Sequence, residues 1–364
     1  MKVKLRDFVE LVKTRVDIKD ADVANYISTD NMLPNRGGVE FGNSKLPTTK
    51  TVNNFIKGDV LISNIRPYFK KIWFADRSGT RSSDVLCFRA TNEKLSKEYL
   101  YCVLQSDSFF NYVMSTSKGT KMPRGDKEAI LDYEFELVSK EKQYDKYHSI
   151  LLLERKIYLN NRINDNLDSL LTTIFEKEVK NINYSKANLT DIANYRNGLA
   201  MQKYRPKSNE KSLPVLKIKE LNQGFTDSSS DRCSSEINED FIVKTGDIIF
   251  SWSGTLLVKN WLGTTAGLNQ HLFKVTSKKY PNWFIYEWTK YHLNKFQTIA
   301  SGKATTMGHI KRSDLKESQV YIPNEEKLNK LNTLMKPIYD KRIEIIRENQ
   351  QLTYIKQILL QKYF

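Results

Sequence analysis

The sequence holds only three cysteines, Cys87, Cys102 and Cys233, with no Cys-x-x-Cys pair. An odd, scattered set excludes a disulfide framework and indicates a reducing compartment. The four histidines, His148, His271, His292 and His309, lack the spacing of metal ligands, so no metal site is expected. No run of 18 apolar residues occurs, which excludes a transmembrane helix. The opening Met1-Lys2-Val3-Lys4-Leu5-Arg6-Asp7 has no apolar segment of the kind a signal peptide needs. A cytoplasmic protein is expected. The nine prolines are never adjacent, so the Asn/Asp-Pro-Pro-aromatic motif of a methyltransferase is missing. There is no phosphate-cradling GxxxxGK[ST] loop and no GxGxxG turn. Glu178-Val179-Lys180 and Glu325-Glu326-Lys327 have the Glu-x-Lys form of some nucleases, but no acidic strand partner accompanies them. They are assigned to solvated helix ends. Nothing positive points to a Ser-His-Asp arrangement. No catalytic residue and no cofactor site is expected in this chain.

Acid is also in short supply. Lys and Arg number 58 against 42 Asp and Glu, a net charge of +16 and a pI near 9.4. Such an excess suits a polyanion, either nucleic acid or an anionic membrane. A membrane reading would want a basic helix with bulky apolar residues opposite the charge. The helical stretches carry mixed charge and the basic excess lies between them, which favours nucleic acid. At 364 residues with 40% apolar content, two or more globular domains can bury cores of their own.

What is present is organised around residues 140–180. Ile150, Leu153, Ile157, Asn160, Asn164, Leu167, Leu171 and Ile174 follow at steps of three and four, the narrow seam of a coiled coil. No Gly or Pro interrupts the stretch, so one helix of roughly 60 Å is expected. Moving 185 positions along gives Met335, Ile338, Arg342, Ile345, Asn349, Leu352, Lys356 and Leu359, a second seam. Asn at a seam position costs stability but fixes register, because its amide needs a partner. Asn160, Asn164 and Asn349 are expected to meet near the midpoint of an antiparallel pair.

The segments between the helices repeat at a nearly constant offset. Phe55–Ser63 reads as a turn and then a strand, punctuated by Gly58-Asp59, and Lys244–Ser251 matches it through Gly246-Asp247. Lys71–Ala75 and Asp84–Arg89 read as strands joined by a polar turn at Ser78-Gly79-Thr80. Lys97–Gln105 looks helical, with Ser108–Met114 extending it, and Ile130–Leu137 alternates as a last strand. Leu268–Val275, Trp283–Tyr286, Ser301–Met307 and Val320–Pro323 match the corresponding elements of the first half. The expected plan is α+β, with boundaries at 1–139, 140–180, 181–324 and 325–364.

That doubled pattern resembles the specificity subunit of type I restriction-modification enzymes. It is carried by Gly58-Asp59, Gly246-Asp247, Gly302, Ile322-Pro323, Glu325-Glu326 and the two heptad helices, and it spans essentially the whole chain. The first half departs from it at Leu137-Val138-Ser139, where a Pro is usual. The resemblance implies two target-recognition domains alternating with two long helices that pair as an antiparallel coiled coil, in a pseudo-twofold repeat. It implies a non-catalytic subunit that reads a split double-stranded DNA target, one half-site per domain. Its implied partners are a methyltransferase (modification) subunit, in two copies, and a restriction subunit. S-adenosylmethionine, ATP and Mg²⁺ would be bound by those partners. The alternative is a self-contained sequence-specific nuclease.

Candidate DNA contacts follow from side-chain chemistry. Phosphates need cations and hydroxyls on exposed loops, which Lys118, Thr120, Lys121, Arg124, Lys303, Thr305 and Thr306 supply, with Lys311 and Arg312 as a further basic pair. Base edges need forked donors and acceptors, for which Asn64 and Arg66 in the first half and Asn269, Gln270 and His271 in the second have the right groups. Trp252 can stack on a base or seal a core edge.

Overall fold

A computed structural model describes residues 1–42, 44–179, 184–227, 229–302 and 308–364. The chain divides into two compact units, Met1–Lys156 with Thr353–Phe364, and Ile157–Leu352.

In the first unit, Val9–Leu11, Val85–Ala90, Val60–Ser63 and Ile72–Phe74 form an antiparallel sheet in that order. Val60–Ser63 is apolar on both faces because both faces are covered. Val60 and Ile62 pack with Leu100, Val103 and Leu104 of the helix Lys97–Leu104, while Leu61 points the other way among Phe55, Trp73 and Cys87. A second sheet contains Arg15–Asp17, Thr51–Phe55, Gly79–Arg81 and Tyr26–Ile27, its last pair parallel. Lys2–Lys4 pairs with Glu134–Glu136.

The second unit repeats this plan. Asn194–Asn197, Leu272–Thr276, Ile248–Ser251 and Leu257–Asn260 make the antiparallel sheet. Ile248 and Phe250 enter one core and Ile249 the other. A mixed sheet and the pair Ser185–Asn188 with Gln319–Ile322 complete the match. The Gly-Asp turns are also equivalent. Gly58 and Gly246 have φ of +95° and +96°, which only glycine adopts without strain. The following Asp closes each turn by accepting from Ile56 N or Lys244 N, both at 2.8 Å, and each Asp is paired, Asp59 with Arg89 and Asp247 with Lys274.

The long helices run Lys140–Val179 and Glu325–Tyr363. No seam position on either helix is exposed. They pair antiparallel within each unit. Ile150 meets Leu360 in the first, and Asp168 bonds Arg342 at 2.8 Å and Glu178 bonds Lys327 at 2.8 Å in the second. Pro337 lies inside the second helix, where it has no N–H to donate to the carbonyl of the preceding turn.

Several local expectations change. The helix of the first unit breaks at Ser106, whose hydroxyl accepts from Phe109 N and starts a new helix, Asp107–Ser115. Ile130–Leu137 is not one strand. Asp126 caps a short helix, Lys127–Leu131, and only Glu134–Glu136 is extended. Ser78-Gly79-Thr80 is not merely a turn, since Gly79–Arg81 is a strand of the second sheet. At the seam, Asn160 rather than Asn164 meets Asn349. Asn160 Nδ2 donates to Asn349 Oδ1 at 2.9 Å and to Glu348 at 2.7 Å, and Asn349 donates to Asn161 at 2.8 Å. The Asn164 amide oxygen is buried without a hydrogen-bond partner among the described residues. Antiparallel register, not equivalence in the repeat, decides which amides face each other.

Candidate nucleic-acid interface

In the first domain, two loops are tied into one surface. Ser117–Arg124 closes as a hairpin through reciprocal backbone bonds between Lys118 and Arg124, both 2.9 Å. Arg124 in turn bridges to Ile65, and Arg66 N donates to the Pro123 carbonyl at 2.9 Å. Arg66, Lys118, Thr120, Lys121 and Arg124 are all exposed there. Lys118 is held by Asp126 at 2.5 Å, which raises the lysine pKa and lowers that of the carboxyl. Arg124 sits 3.4 Å from Asp84. Lys118 and Arg124, paired to carboxylates, thus share one exposed surface with Arg66 and Lys121, a suitable arrangement for phosphate oxygens.

Asn64 stands differently from the sequence expectation. It is 8% exposed, its amide oxygen buried without a hydrogen-bond partner among the described residues. The Asn64 N–H bond to the Asp84 carbonyl (2.8 Å) and the neighbouring Ile65–Arg124 bridge turn its side chain inward, against Gly125.

The second domain repeats the bridge, with Ser253 paired to His309 as Ile65 is to Arg124. The preceding serines also match, Ser63 Oγ donating to the Ile65 carbonyl and Ser251 Oγ to that of Ser253. Trp252 is half-buried on the core edge. Its indole N–H donates to Asn197 at 3.0 Å, and its ring lies about 6 Å from those of His271, Phe273 and His309. Gln270 and His271 are half-buried, joined to each other at 3.3 Å, with Ser253 on the far nitrogen of the imidazole. Asn269, at 6% exposed, is another correction. Its side chain accepts from His271 N and shapes the loop from within. Lys311 and Arg312 are exposed, Arg312 over the Phe273 ring at 5.9 Å. Lys303, Thr305 and Thr306 lie outside the described residues.

Each domain is seated on the helices by a tyrosine 185 residues from its counterpart. Tyr101 donates to Glu154, which pairs with Lys356 at 3.3 Å. Arg342 donates to the Tyr286 hydroxyl at 3.4 Å, and that hydroxyl in turn donates to Asp168 at 3.4 Å, closing a triangle with the Asp168–Arg342 pair. Lys290 joins Asp168 at 2.6 Å. Beside this cluster the carboxyl of Glu287 is pushed up to about 7, first by burial, with Lys290 opposing and Asp168 reinforcing the shift. Sequence reasoning missed the cluster, although the seam positions Arg342 and Lys356, charged where apolar residues were due, were its signal.

The two Glu-x-Lys segments meet in an ion pair, Glu178 of the first with Lys327 of the second. Glu178 also accepts from the Tyr184 hydroxyl. Among the described residues no group of three or more His, Cys, Asp or Glu could hold a metal ion, and no helix is long and apolar enough to cross a membrane.

The doubled order of strand, bridged loop, helix and long helix is shared with known proteins. Residues 1–169 and 181–354 match the family described as the type I restriction modification DNA specificity domain, and the chain belongs to that family. It is 23% identical over 295 residues to the type I restriction enzyme MjaIX specificity subunit of Methanocaldococcus jannaschii. That alignment covers 72% of this chain and 66% of the archaeal subunit, so the chain spans just under two thirds of that relative's length. Its fold is similar to the crystal structure of the type I restriction-modification system S subunit from M. genitalium, with a TM-score of 0.57 at 13% identity, covering 100% of this chain and 96% of that one.

Proposed function

We propose that this chain is the DNA-reading specificity subunit of a type I restriction-modification complex. The observation that carries the reading is the duplicated bridge, Ile65 with Arg124 and Ser253 with His309, which ties a later segment to the exit of a Gly-Asp strand in each half of a chain with net charge +16. Each domain, 1–139 and 181–324, reads one half of a split target. Lys118, Thr120, Lys121 and Arg124 hold phosphates at the first half-site, and Lys303, Thr305, Thr306, Lys311 and Arg312 do so at the second. Arg66 reads a base edge in the first; Gln270 and His271 do so in the second. Asn64, Asn269 and Trp252 support those loops from beneath.

The chain itself is non-catalytic. It scaffolds two modification subunits and a restriction subunit, which bind S-adenosylmethionine, ATP and Mg²⁺. The test is to exchange residues 1–139 for the domain of another family member and map methylated sites in cells that also carry the modification subunit. One half-site changes and the other keeps its sequence. A change in both would show that the domains do not read independently. Purified chain incubated with plasmid and Mg²⁺ leaves the DNA intact; sequence-specific cutting would instead establish a nuclease.

A further inference from the structure

The turn after the Val60–Ser63 strand displays apolar side chains on the basic face of the first domain. It is a single 3₁₀ turn, Pro67–Phe69, flanked by Arg66 at φ +51° and Lys70 at φ +50°. Both flanking residues occupy the left-handed region that side chains with a Cβ disfavour. Such strain persists only where neighbours over-determine it. Here they do. The Phe69 carbonyl accepts from Asn35 N at 2.7 Å and the Lys70 carbonyl from Arg36 N at 2.9 Å. Arg66 N is held by Pro123, and Asp107 takes both Lys70 and Arg36 at 2.5 Å.

What this clamped turn holds out is Tyr68, 46% exposed, and Phe69, 37% exposed, with ring centroids 4.6 Å apart. The hairpin bonded to it adds Met122, 47% exposed, between the cations Lys121 and Arg124. Two large, partly exposed rings, with the Lys71 ammonium 5.9 Å from the Phe69 centroid and Arg66, Lys121 and Arg124 on the same bonded pair of loops, match the face of a nucleobase within a phosphate backbone. Every base offers a π-face, and apolar wedges driven between base steps are an established way to kink a duplex.

We propose that Tyr68 and Phe69 form a wedge that inserts at a base step of the first half-site and stacks on the base it uncovers. This rests on the reading of the chain as a DNA-recognition subunit. In the second domain Trp252 stands at the position of Asn64, half-buried and tied to Asn197, and residues 253–256 that follow it carry no aromatic side chain, so the distortion is confined to one half of the target.

The test uses the full chain assembled with its modification subunit, and target duplexes carrying 2-aminopurine at successive positions of both half-sites. Beyond the base that the modification subunit turns out of the duplex in each half-site, fluorescence is expected to rise at one or two adjacent positions of the first half-site that have no counterpart in the second. The double variant Tyr68→Ala, Phe69→Ala is expected to lose that rise and bind the target roughly 5- to 150-fold more weakly. Its salt slope stays unchanged, because the phosphate contacts remain. Tyr68→Ala alone gives a partial loss of signal. Specific binding by the wild type with no such additional rise in the first half-site would overturn the wedge while leaving DNA recognition standing. So would a double variant that keeps the rise, or one that binds DNA normally but no longer holds the modification subunit, which would make the rings a protein contact. Failure of the wild-type complex to bind any specific sequence would sink both readings.

Discussion

Replacing Glu287 by Gln removes a charge that the fold disfavours. The residue is 1% exposed in the helix Asn282–Tyr291. One carboxyl oxygen accepts from Thr172 Oγ1 at 3.1 Å, and the other has no hydrogen-bond partner among the described residues. Its pKa rises from 4.5 to about 7, mainly through burial. Because the folded value lies above the unfolded one, the native state holds the proton more tightly. The stability contributed by this group is full below pH 4.5, is lost as pH rises through about 7, and stays absent above. At about 1.4 kcal/mol per pKa unit, ionised Glu287 costs about 3 kcal/mol at pH 8. Glu287→Gln keeps the shape and stays neutral. The attraction to Lys290 is already contained in that shift, so a net stabilisation of about 2–3 kcal/mol at pH 8 is expected, shrinking to nothing near pH 4.5. Urea unfolding followed by tryptophan fluorescence, from pH 5 to 8, measures it, with Trp283 and Trp288 in the same helix as reporters. A difference that does not vary with pH, or a variant less stable at pH 8 than wild type, would refute the reasoning.

Arg342→Met is expected to cost about 1–3 kcal/mol, less than a fully orphaned buried ion because Lys290 still faces Asp168. Adding Asp168→Asn recovers part of that loss, and strictly additive single effects in the double-mutant cycle would rule out the coupling. Asn160→Leu leaves the Asn349 amide oxygen without its donor and is expected to destabilise by about 1–2 kcal/mol in urea. Asn160→Leu with Asn349→Leu is expected to regain it, since the polar seam pair trades stability for register. Lys121→Ala weakens binding to all DNA sequences and reduces the salt slope by about one, as titrations at several salt concentrations would show. An unchanged slope would take the hairpin off the contact surface.

The parts of this fold that were legible in sequence are those fixed by local chemistry. The heptad seam appears as a period, and Gly58-Asp59 and Gly246-Asp247 appear as turns because φ near +95° demands glycine and the following carboxylate caps the loop. The offset of 185 exposed the repeat even where single motifs were weak. What stayed hidden depends on contacts distant in the chain. Gly79 reads as a turn, yet it is a strand residue where an added Cβ would lie 2.3 Å from the Asn25 carbonyl. Asn64 and Asn269 have base-reading groups, but bonds to Asp84 and Leu216 draw their backbones into the fold. Residues 64–68 read as a loop, but that Tyr68 and Phe69 are held out in solvent rests on the left-handed pair around them. The cluster around Asp168 brings together residues from three helices, and the charged seam position Arg342 was its one trace in the sequence.

The first unit is assembled from two separated lengths of chain, Met1–Lys156 and Thr353–Phe364. The late segment is integral to it. Leu360 is buried with Ile150 and Cys102, the Phe364 ring lies 5.2 Å from that of Tyr99, and its carbonyl accepts from Ser108. Along the chain, then, the segment made after residue 352 belongs with the segment made before residue 157, and the second unit is one continuous stretch between them. A cut before Thr353 would leave the second unit all of its own residues and would take from the first the buried side chain of Leu360 and the ring against Tyr99.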